Sequence, residues 1–311
     1  MNRRLQRRVQ SHIRAIQMSE RQIFAYCEGK NYDRYVCSEL MGGIDPSCSR
    51  ALNVYTAEEI SSQGGKEGLK GIFQKFRKKH LLRSEFKGKK FVCIFFFDKD
   101  IDCICRSRLR NAHAFYTELY DVEAQAFRDG NLTRSIAVAL GISMSAVPSI
   151  YSDPSQWIEG VAVRWKEWLT LCVYCKIHNV NCGCGFRLLS TINPSLIGPT
   201  DVAKYYEKRT AIKVTSGVCD GILEQQMAII EKKIGRLIVS GELLTIFKGK
   251  WIAPILRKEL EAEFPRKNVV LDALEPKLTS GVVGTMSFST SWATECRDRL
   301  RELVDEITVL H

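Results

Sequence analysis

Three acidic residues follow an apolar stretch of the chain at alternate positions. The stretch is FVCIFFF, residues 91–97, and the acids are Asp98, Asp100 and Asp102. An apolar run without a helical period is typical of a buried central strand. Side chains at alternate positions of an extended chain point to the same side, so these carboxylates are expected to lie close together. Like charges so placed need a counter-charge, and carboxylate oxygens suit Mg²⁺ or Mn²⁺. The sequence therefore predicts a divalent-cation site where this strand ends.

A fourth acid occupies an equivalent place. Glu28 follows the short apolar segment 23–27, and Gly29 after it permits a sharp turn of the backbone. If the strands at 23–27 and 91–97 are parallel neighbours, their carboxyl ends lie on one edge of the sheet, where open α/β sheets bind ligands. Glu28 would then face Asp98 and Asp100 and contribute to the same cation site.

The elements that must position these acids form an α/β pattern. Strands are predicted at residues 23–27, 51–55, 91–97 and 113–119, and helices at 33–41, 66–82 and 122–140. Strands that alternate with helices are typical of a parallel sheet. Residues 157–176, 220–241 and 292–310 have apolar residues at helical spacing and little strand signal. We expect a basic N-terminal helix at 1–19, an α/β domain with a parallel-sheet core at 20–145, and a largely helical C-terminal domain at 146–311.

The acidic motifs resemble those of the TOPRIM domain, and in particular of the OLD-like TOPRIM nucleases. The matching segments are Tyr26-Cys27-Glu28-Gly29-Lys30 and Phe97-Asp98-Lys99-Asp100, each at the end of an apolar strand. Tyr120-Asp121-Val122-Glu123, which opens a helix after the next predicted strand, is similar to the third acidic motif of that branch. The resemblance implies that residues 20–145 form a TOPRIM-like catalytic domain with metal-dependent endonuclease activity.

The resemblance also implies a role for each residue. Glu28 would bind a metal ion or deprotonate the attacking water, Asp98 and Asp100 would bind Mg²⁺ or Mn²⁺, and Glu123 would bind the same ion or a second one. Asp33 and Asp102 are further candidate metal ligands. The cations Lys30, Arg106, Arg108 and Arg110 would bind phosphate groups of nucleic acid, although for the arginines solvated loop charge is an alternative.

The charge balance favours a polyanionic partner. Lys and Arg total 46 against 35 Asp and Glu, a formal net charge of +11, which suggests nucleic acid. The resemblance implies a toxic effector of PARIS-type anti-phage defence that cleaves tRNA in preference to DNA. A separate ABC-type ATPase subunit would control it, and a homodimer is expected by analogy. No apolar run has the roughly 18 residues of a membrane span and no secretory signal is visible, so a cytoplasmic location is expected.

A second group of chemically active residues lies in the C-terminal half. Cys172, Cys175, Cys182 and Cys184, with His178 between the pairs, have a spacing that could form a tetrahedral zinc site. Residues 165–176 are helical in pattern, however, so Cys172 and Cys175 are expected to face the core rather than to bind zinc. The 14 Phe and 5 Trp residues are assigned mainly to the core, although Trp251, which follows Lys250, could stack on a nucleic-acid base.

Three alternatives to the nuclease remain open. A haloacid-dehalogenase phosphatase also begins with Asp-x-Asp after a strand, but it needs Thr or Val where this chain has Asp102. A catalytically inactive TOPRIM-like subunit that only binds nucleic acid or serves as a scaffold would carry the same motifs. Turn-forming aspartates after a strand would explain the acids without any metal.

Overall fold

The computed structural model describes residues 3–29, 32–61, 63–105, 107–264, 273–305 and 307. Its strands are β1 (Ile23–Cys27), β2 (Leu52–Thr56), β3 (Arg83–Phe86), β4 (Lys89–Phe97) and β5 (Ala114–Tyr116). Its helices are α1 (Arg3–Met18), α2 (Tyr32–Gly42), α3 (Pro46–Ala51), α4 (Ala57–Ile60), α5 (Gly65–Lys78), α6 (Asp102–Cys105), α7 (Val122–Asp129), α8 (Leu132–Leu140), α9 (Pro154–Arg164), α10 (Lys166–Ile177), α11 (Val202–Ser216), α12 (Asp220–Val239), α13 (Ile252–Glu263), α14 (Leu274–Gly284) and α15 (Ser291–Asp305). The α/β class with parallel strands is therefore confirmed.

The chain divides into two compact units. Unit 1 consists of residues 1–99, 108–118 and 287–311, and unit 2 of residues 100–107 and 119–286. Unit 1 contains every strand of the described chain together with helices α1–α5 and α15, whereas unit 2 is helical. The chain passes from unit 1 to unit 2 between Lys99 and Asp100, inside the Asp-x-Asp motif.

The sheet of unit 1 has β1 and β4 as its central strands. The order is β2-β1-β4-β3, and β5 pairs with the second half of β4. The pairs β1–β2, β1–β4 and β4–β5 are parallel, and β3–β4 is antiparallel. In the β1–β4 register Cys27 lies opposite Phe96, so the two strands end at the same edge.

Both faces of β1 and β4 are buried, which explains their continuous apolar sequences. On one face Tyr26 stacks on Phe95 with ring centroids 4.7 Å apart, and Phe73 and Phe76 of α5 meet the edges of these rings. Apolar residues of α1 complete this core. The helices α2 and α15 pack with each other, and α2 also packs against β1 and β2.

Two local features differ from the sequence-based expectation. Residues 83–97 form a β3–β4 hairpin closed by Lys87 and Gly88, both at positive φ, whereas we expected β4 alone. The helix expected at 122–140 is two helices, because Asn131 begins a new one by accepting a hydrogen bond from the N–H of Arg134. At Gly130 the backbone carbonyl of Val282 lies 2.4 Å from where a Cβ would be, which explains the glycine at the break.

Unit 2 is built from helices α6–α14. The helix α14 packs against α7, α8 and α13, while α10 packs against α9, α11 and α12. Trp165 and Trp168, at the start of α10, are fully buried in this unit. Within the described ranges, no helix combines the length and apolar character needed to cross a membrane.

Candidate active site

Glu28 and Asp98 are brought together by the parallel pairing of β1 and β4. Each follows the last residue of its strand, and both are partly exposed at the sheet edge. The backbone N–H of Asp98 donates a hydrogen bond of 3.0 Å to Oε1 of Glu28. The first acidic motif and the second therefore meet as the sequence predicted, with the Glu28 carboxylate oriented by the backbone that carries Asp98.

Asp33 shapes the turn that follows Glu28. Its Oδ2 accepts a hydrogen bond of 2.6 Å from the N–H of Gly29, and a Cβ at Gly29 would lie only 3.0 Å from that oxygen. Asp33 lies in the first turn of α2, where a carboxylate is also favoured by the helix dipole. The structure thus gives this predicted ligand a role in holding the Glu28-Gly29 turn.

Two lysines hold the segment after β4. Lys66, in the first turn of α5, donates through Nζ to the backbone carbonyl of Asp98 at 2.5 Å. Lys99 donates through its backbone N–H to Oγ1 of Thr117 at 2.9 Å and through Nζ to the carbonyl of Glu118 at 2.8 Å. These bonds fix the backbone at Asp98 and place positive charge beside it.

The cations predicted to bind phosphate are only partly described. Lys30 and Arg106 lie outside the described residues. Arg108 and Arg110 are exposed, and the guanidinium of Arg108 lies 4.4 Å from the ring centre of Tyr116. The planar, charged guanidinium of Arg108 therefore stacks on Tyr116 and could contact a phosphate or a base.

In unit 2, Asp100 has a backbone conformation that is uncommon for a residue with a side chain. Its φ is +45°, in the left-handed region, and its N–H donates to the carbonyl of Tyr120 at 2.7 Å. Asp102 is buried at the start of α6, where its Oδ1 accepts a hydrogen bond of 2.6 Å from Ser107. Strained backbone conformations are concentrated at functional sites, so Asp100 is a stronger candidate for a functional residue than Asp102.

The third acidic motif contains a buried carboxylate that the sequence did not single out. Asp121 is 1% exposed and begins α7, and its Oδ1 accepts from the N–H of Ala124 at 2.9 Å and of Gly249 at 3.0 Å. Glu123, two residues later, has an ion pair of 3.7 Å with Lys250. Asp121 thus joins the start of α7 to the Lys248–Lys250 segment, and Glu123 contacts the same segment through Lys250.

Burial and neighbouring charge shift the pKa of two groups here. Burial raises the pKa of Asp121 well above its usual range, and the charge of Glu123 adds to the rise. Burial lowers the pKa of Lys248, while the charges of Asp121, Asp100 and Glu123 oppose that change. Perturbed titratable groups are concentrated at functional sites, so these shifts support a site at the start of α7.

The predicted acids are divided between the units. Unit 1 holds Glu28, Asp33 and Asp98, and unit 2 holds Asp100, Asp102 and Glu123. Among the described residues of each unit, no three carboxylates have ligand oxygens all within 4.8 Å of one another. Three cysteines do have ligand atoms this close together. The chemistry of the donor set, carboxylate oxygens where parallel strands end, still fits Mg²⁺ or Mn²⁺.

Some functional candidates were missed from the sequence. Asp121 could have been recognised from the sequence, since an Asp directly before an apolar helical pattern is a typical N-cap. Its pairing with Gly249 could not have been recognised, because 128 residues separate them. The assignment of the tryptophans to the core is confirmed for Trp251, which is 2% exposed and stacks on Phe186. The suggestion that it stacks on a base is wrong.

Comparison with known proteins does not assign the chain to a family. No protein-family model matches the chain, and no curated protein matches it significantly.

Proposed function

We propose that this chain is a metal-dependent endonuclease that hydrolyses phosphodiester bonds. The observation that carries the proposal is the hydrogen bond between Asp98 and Glu28 at the ends of adjacent parallel strands. Two acids from separate strands at the carboxyl edge of a sheet are suited to binding a cation and a phosphate oxygen. The OLD-like TOPRIM nucleases, which these motifs resemble, use such acids for this reaction.

The metal would be Mg²⁺ or Mn²⁺. When bound, it would supply Lewis-acid polarisation of the phosphoryl group and lower the pKa of a coordinated water. The resemblance, and not a distance between these side chains, implies that Asp98 and Asp100 would hold it and that Glu123 would contribute a further carboxylate. A carboxylate oxygen of Glu28 would accept the proton of the attacking water, while the N–H of Asp98 keeps the Glu28 side chain in place.

The substrate class is nucleic acid, with tRNA favoured over DNA. The net charge of +11 supports a polyanionic substrate. In unit 1, Lys66 and Lys99 lie beside the Asp98 backbone and Arg108 is exposed nearby in sequence. The preference for tRNA comes from the resemblance to defence effectors alone.

Regulation by a partner follows from the same resemblance. Unregulated cleavage of tRNA would kill the host cell, so a separate ABC-type ATPase subunit would release the activity only after infection. The active form would be a homodimer in the cytoplasm. Both the ATPase partner and the homodimer depend on the nuclease assignment.

A catalytically inactive subunit that binds nucleic acid or an ATPase is the second candidate. It is favoured by one observation: Glu123, a proposed metal ligand, already has Lys250 Nζ at 3.7 Å from its carboxylate. A lysine in this position neutralises the acid without any metal. The two candidates differ in whether the acids bind a divalent cation.

The test uses substitutions that remove charge and keep shape. Glu28→Gln keeps an oxygen that can accept from the N–H of Asp98, and Asp98→Asn keeps the backbone donor. Glu39→Gln, an exposed acid on α2 in the same unit, is the matched control. Purified proteins are incubated with tRNA or plasmid with Mg²⁺, Mn²⁺ or EDTA, and Mn²⁺ binding is measured separately by calorimetry.

The nuclease predicts metal-dependent cleavage by the wild type and by Glu39→Gln, with at least a hundredfold loss in Glu28→Gln and Asp98→Asn. Mn²⁺ affinity should fall about tenfold or more in Asp98→Asn, even if the isolated subunit has no nuclease activity without its partner. Cleavage that survives both substitutions, or Mn²⁺ binding that neither of them changes, would overturn the assignment.

A further inference from the structure

The helix α10 presents two cysteines on one face. Cys172 and Cys175 are three positions apart, so they lie one turn from each other, and both are buried in unit 2. Their burial agrees with the expectation that they face the core. It does not decide whether they also bind zinc, because that depends on the groups that face them.

The chain after α10 turns back so that two more cysteines approach that face. Asn179 adopts φ +52°, and the N–H of Val180 donates to the carbonyl of Cys175 at 2.9 Å, which is the hydrogen bond of a Schellman motif. Cys182 and Cys184 follow on either side of Gly183, whose φ of +79° bends the loop between them. The loop therefore returns over the last turn of α10.

Three of the four thiols converge at the spacing of a tetrahedral metal site. Sγ of Cys175 lies 3.6 Å from Sγ of Cys182, and with Cys184 all three sulfurs are within 4.8 Å of one another. Zinc–sulfur bonds of about 2.3 Å place tetrahedral ligands about 3.8 Å apart. A disulfide needs sulfurs at about 2.05 Å, and these cysteines are free thiols.

Backbone donors lie beside two of the sulfurs. The backbone N–H of Gly185 interacts with Sγ of Cys172, and the backbone N–H of Cys184 with Sγ of Cys182. Zinc binds cysteine as the thiolate, so zinc binding would displace the thiol protons.

We propose that Cys175, Cys182 and Cys184, with Cys172 as the fourth ligand, bind one zinc ion. The four sulfurs come from one helix and the loop that follows it, in a Cys-x₂-Cys and a Cys-x-Cys pair. Four protein ligands make a closed, structural site without an open position for water. The net charge of about −2 on a zinc tetrathiolate would be offset by Lys208 and Lys248, whose charges act on Cys184 and Cys172 respectively.

The site would hold the loop that supports the third acidic motif. Phe186, two residues after Cys184, stacks on Trp251 at 5.8 Å and on Tyr120 at 5.3 Å between ring centroids. Its carbonyl accepts a hydrogen bond of 2.8 Å from Nζ of Lys248. Zinc would therefore order the side chains that flank Asp121 and the Lys248–Lys250 segment, without taking part in any reaction.

The test is the metal content and coordination of the full-length protein purified under reducing conditions. We expect about one zinc per chain by elemental analysis, and X-ray absorption at the zinc edge should show four sulfurs at about 2.3 Å. Cys175→Ser and Cys184→Ser should lose at least nine-tenths of the zinc, and Cys172→Ser should bind it at least tenfold more weakly. Cys219→Ser, which changes an exposed cysteine of the same unit, is the matched control and should keep full occupancy.

Absence of zinc from the wild type, even after reconstitution with zinc under reducing conditions, would overturn the proposal. So would a Cys175–Cys182 disulfide that persists through purification under reducing conditions, or wild-type zinc affinity in Cys172→Ser. The absorption measurement uses only the wild type, so it stands even if the serine variants do not fold. Glu28→Gln should contain as much zinc as the wild type, which separates this proposal from the nuclease assignment.

Discussion

Oδ1 of Asp121 accepts hydrogen bonds from two backbone N–H groups that are far apart in sequence, those of Ala124 and Gly249. The first is the N-cap bond of α7, and the second ties the Lys248–Lys250 segment to the start of that helix. Because Asp121 is almost fully buried, both N–H groups would lose a partner in a site closed to water if this side chain were removed. The contact leaves no room for a side chain at position 249.

Gly249→Ala is expected to destabilise the protein by about 3 kcal/mol. A Cβ at this position would lie 2.0 Å from the backbone N of Ala124 and 2.2 Å from Oδ1 of Asp121, and neither atom can move without breaking the cap. The measurement is urea unfolding followed by circular dichroism. Gly235→Ala is the control, because a Cβ there meets nothing within 4 Å in the interior of α12. The control should gain about 0.5–1 kcal/mol. Equal effects of the two substitutions would show that the Asp121 contact is not as described.

The strands β1 and β4 and the class of the fold could be predicted because apolar runs report burial directly, whereas β2, Leu-Asn-Val-Tyr-Thr, is only partly buried and gave a weaker signal. The strand β3 could not be predicted in this way, since its sequence, Arg-Ser-Glu-Phe, lies at an edge and contains one apolar residue. The two-residue turn at Lys87-Gly88 was the signal that would have indicated the hairpin. The break of the helix at Gly130 depends on the Val282 carbonyl, a long-range contact with no local signature.

The site was predictable to the extent that it depends on strand ends. Glu28 and Asp98 could be paired because acids that follow neighbouring parallel strands share an edge. The Asp121–Gly249 contact was not predictable, and the cysteine spacing left open whether Cys182 and Cys184 converge on Cys175. Both features depend on where a loop returns, and the hydrophobic pattern of the sequence does not determine that path.

The hairpin turn offers a gain in stability from a single substitution. Lys87 and Gly88 have φ of +51° and +79°, the signs of a type I′ turn, and a lysine in the left-handed region is strained. Lys87→Asn should stabilise unit 1 by about 0.5–1 kcal/mol, because Asn tolerates this conformation. Lys87→Gln removes the same charge without that tolerance and should show no gain. The comparison is made by thermal unfolding at two salt concentrations, and an equal gain in both variants would attribute the effect to charge instead.

His12 is expected to make the protein sensitive to mild acid. Burial lowers its pKa to about 4, although the charge of Glu59 opposes the change, and its Nε2 lies 3.1 Å from the hydroxyl of Tyr26. The unfolded state, with an ordinary pKa near 6.5, binds the proton first as the pH falls. Stability therefore decreases between about pH 6.5 and pH 4, and the loss from this group is about 2 kcal/mol at pH 5.

The His12 prediction is checked by comparing two asparagine variants by urea unfolding at pH 7 and pH 5. His12→Asn should lose less stability on acidification than the wild type, whatever its stability at pH 7. His80→Asn changes an exposed histidine in the same unit at positive φ, which Asn tolerates, and should keep the wild-type pH dependence. Identical pH slopes in the wild type and both variants would remove His12 as the cause.

Lys250→Met is expected to strengthen the binding of a divalent cation if Glu123 is a metal ligand. Lys250 Nζ lies 3.7 Å from the Glu123 carboxylate, but 58% of the lysine side chain is exposed, so the charge is screened and the gain in Mn²⁺ affinity should be roughly fivefold at most. Lys232→Met removes an exposed charge on α12 of the same unit and should change Mn²⁺ affinity much less.

Lys250→Met should also bind tRNA more weakly in EDTA if Lys250 contacts phosphate. Unchanged Mn²⁺ affinity in Lys250→Met, together with weaker tRNA binding, would assign this lysine to nucleic-acid binding and take Glu123 out of the metal site.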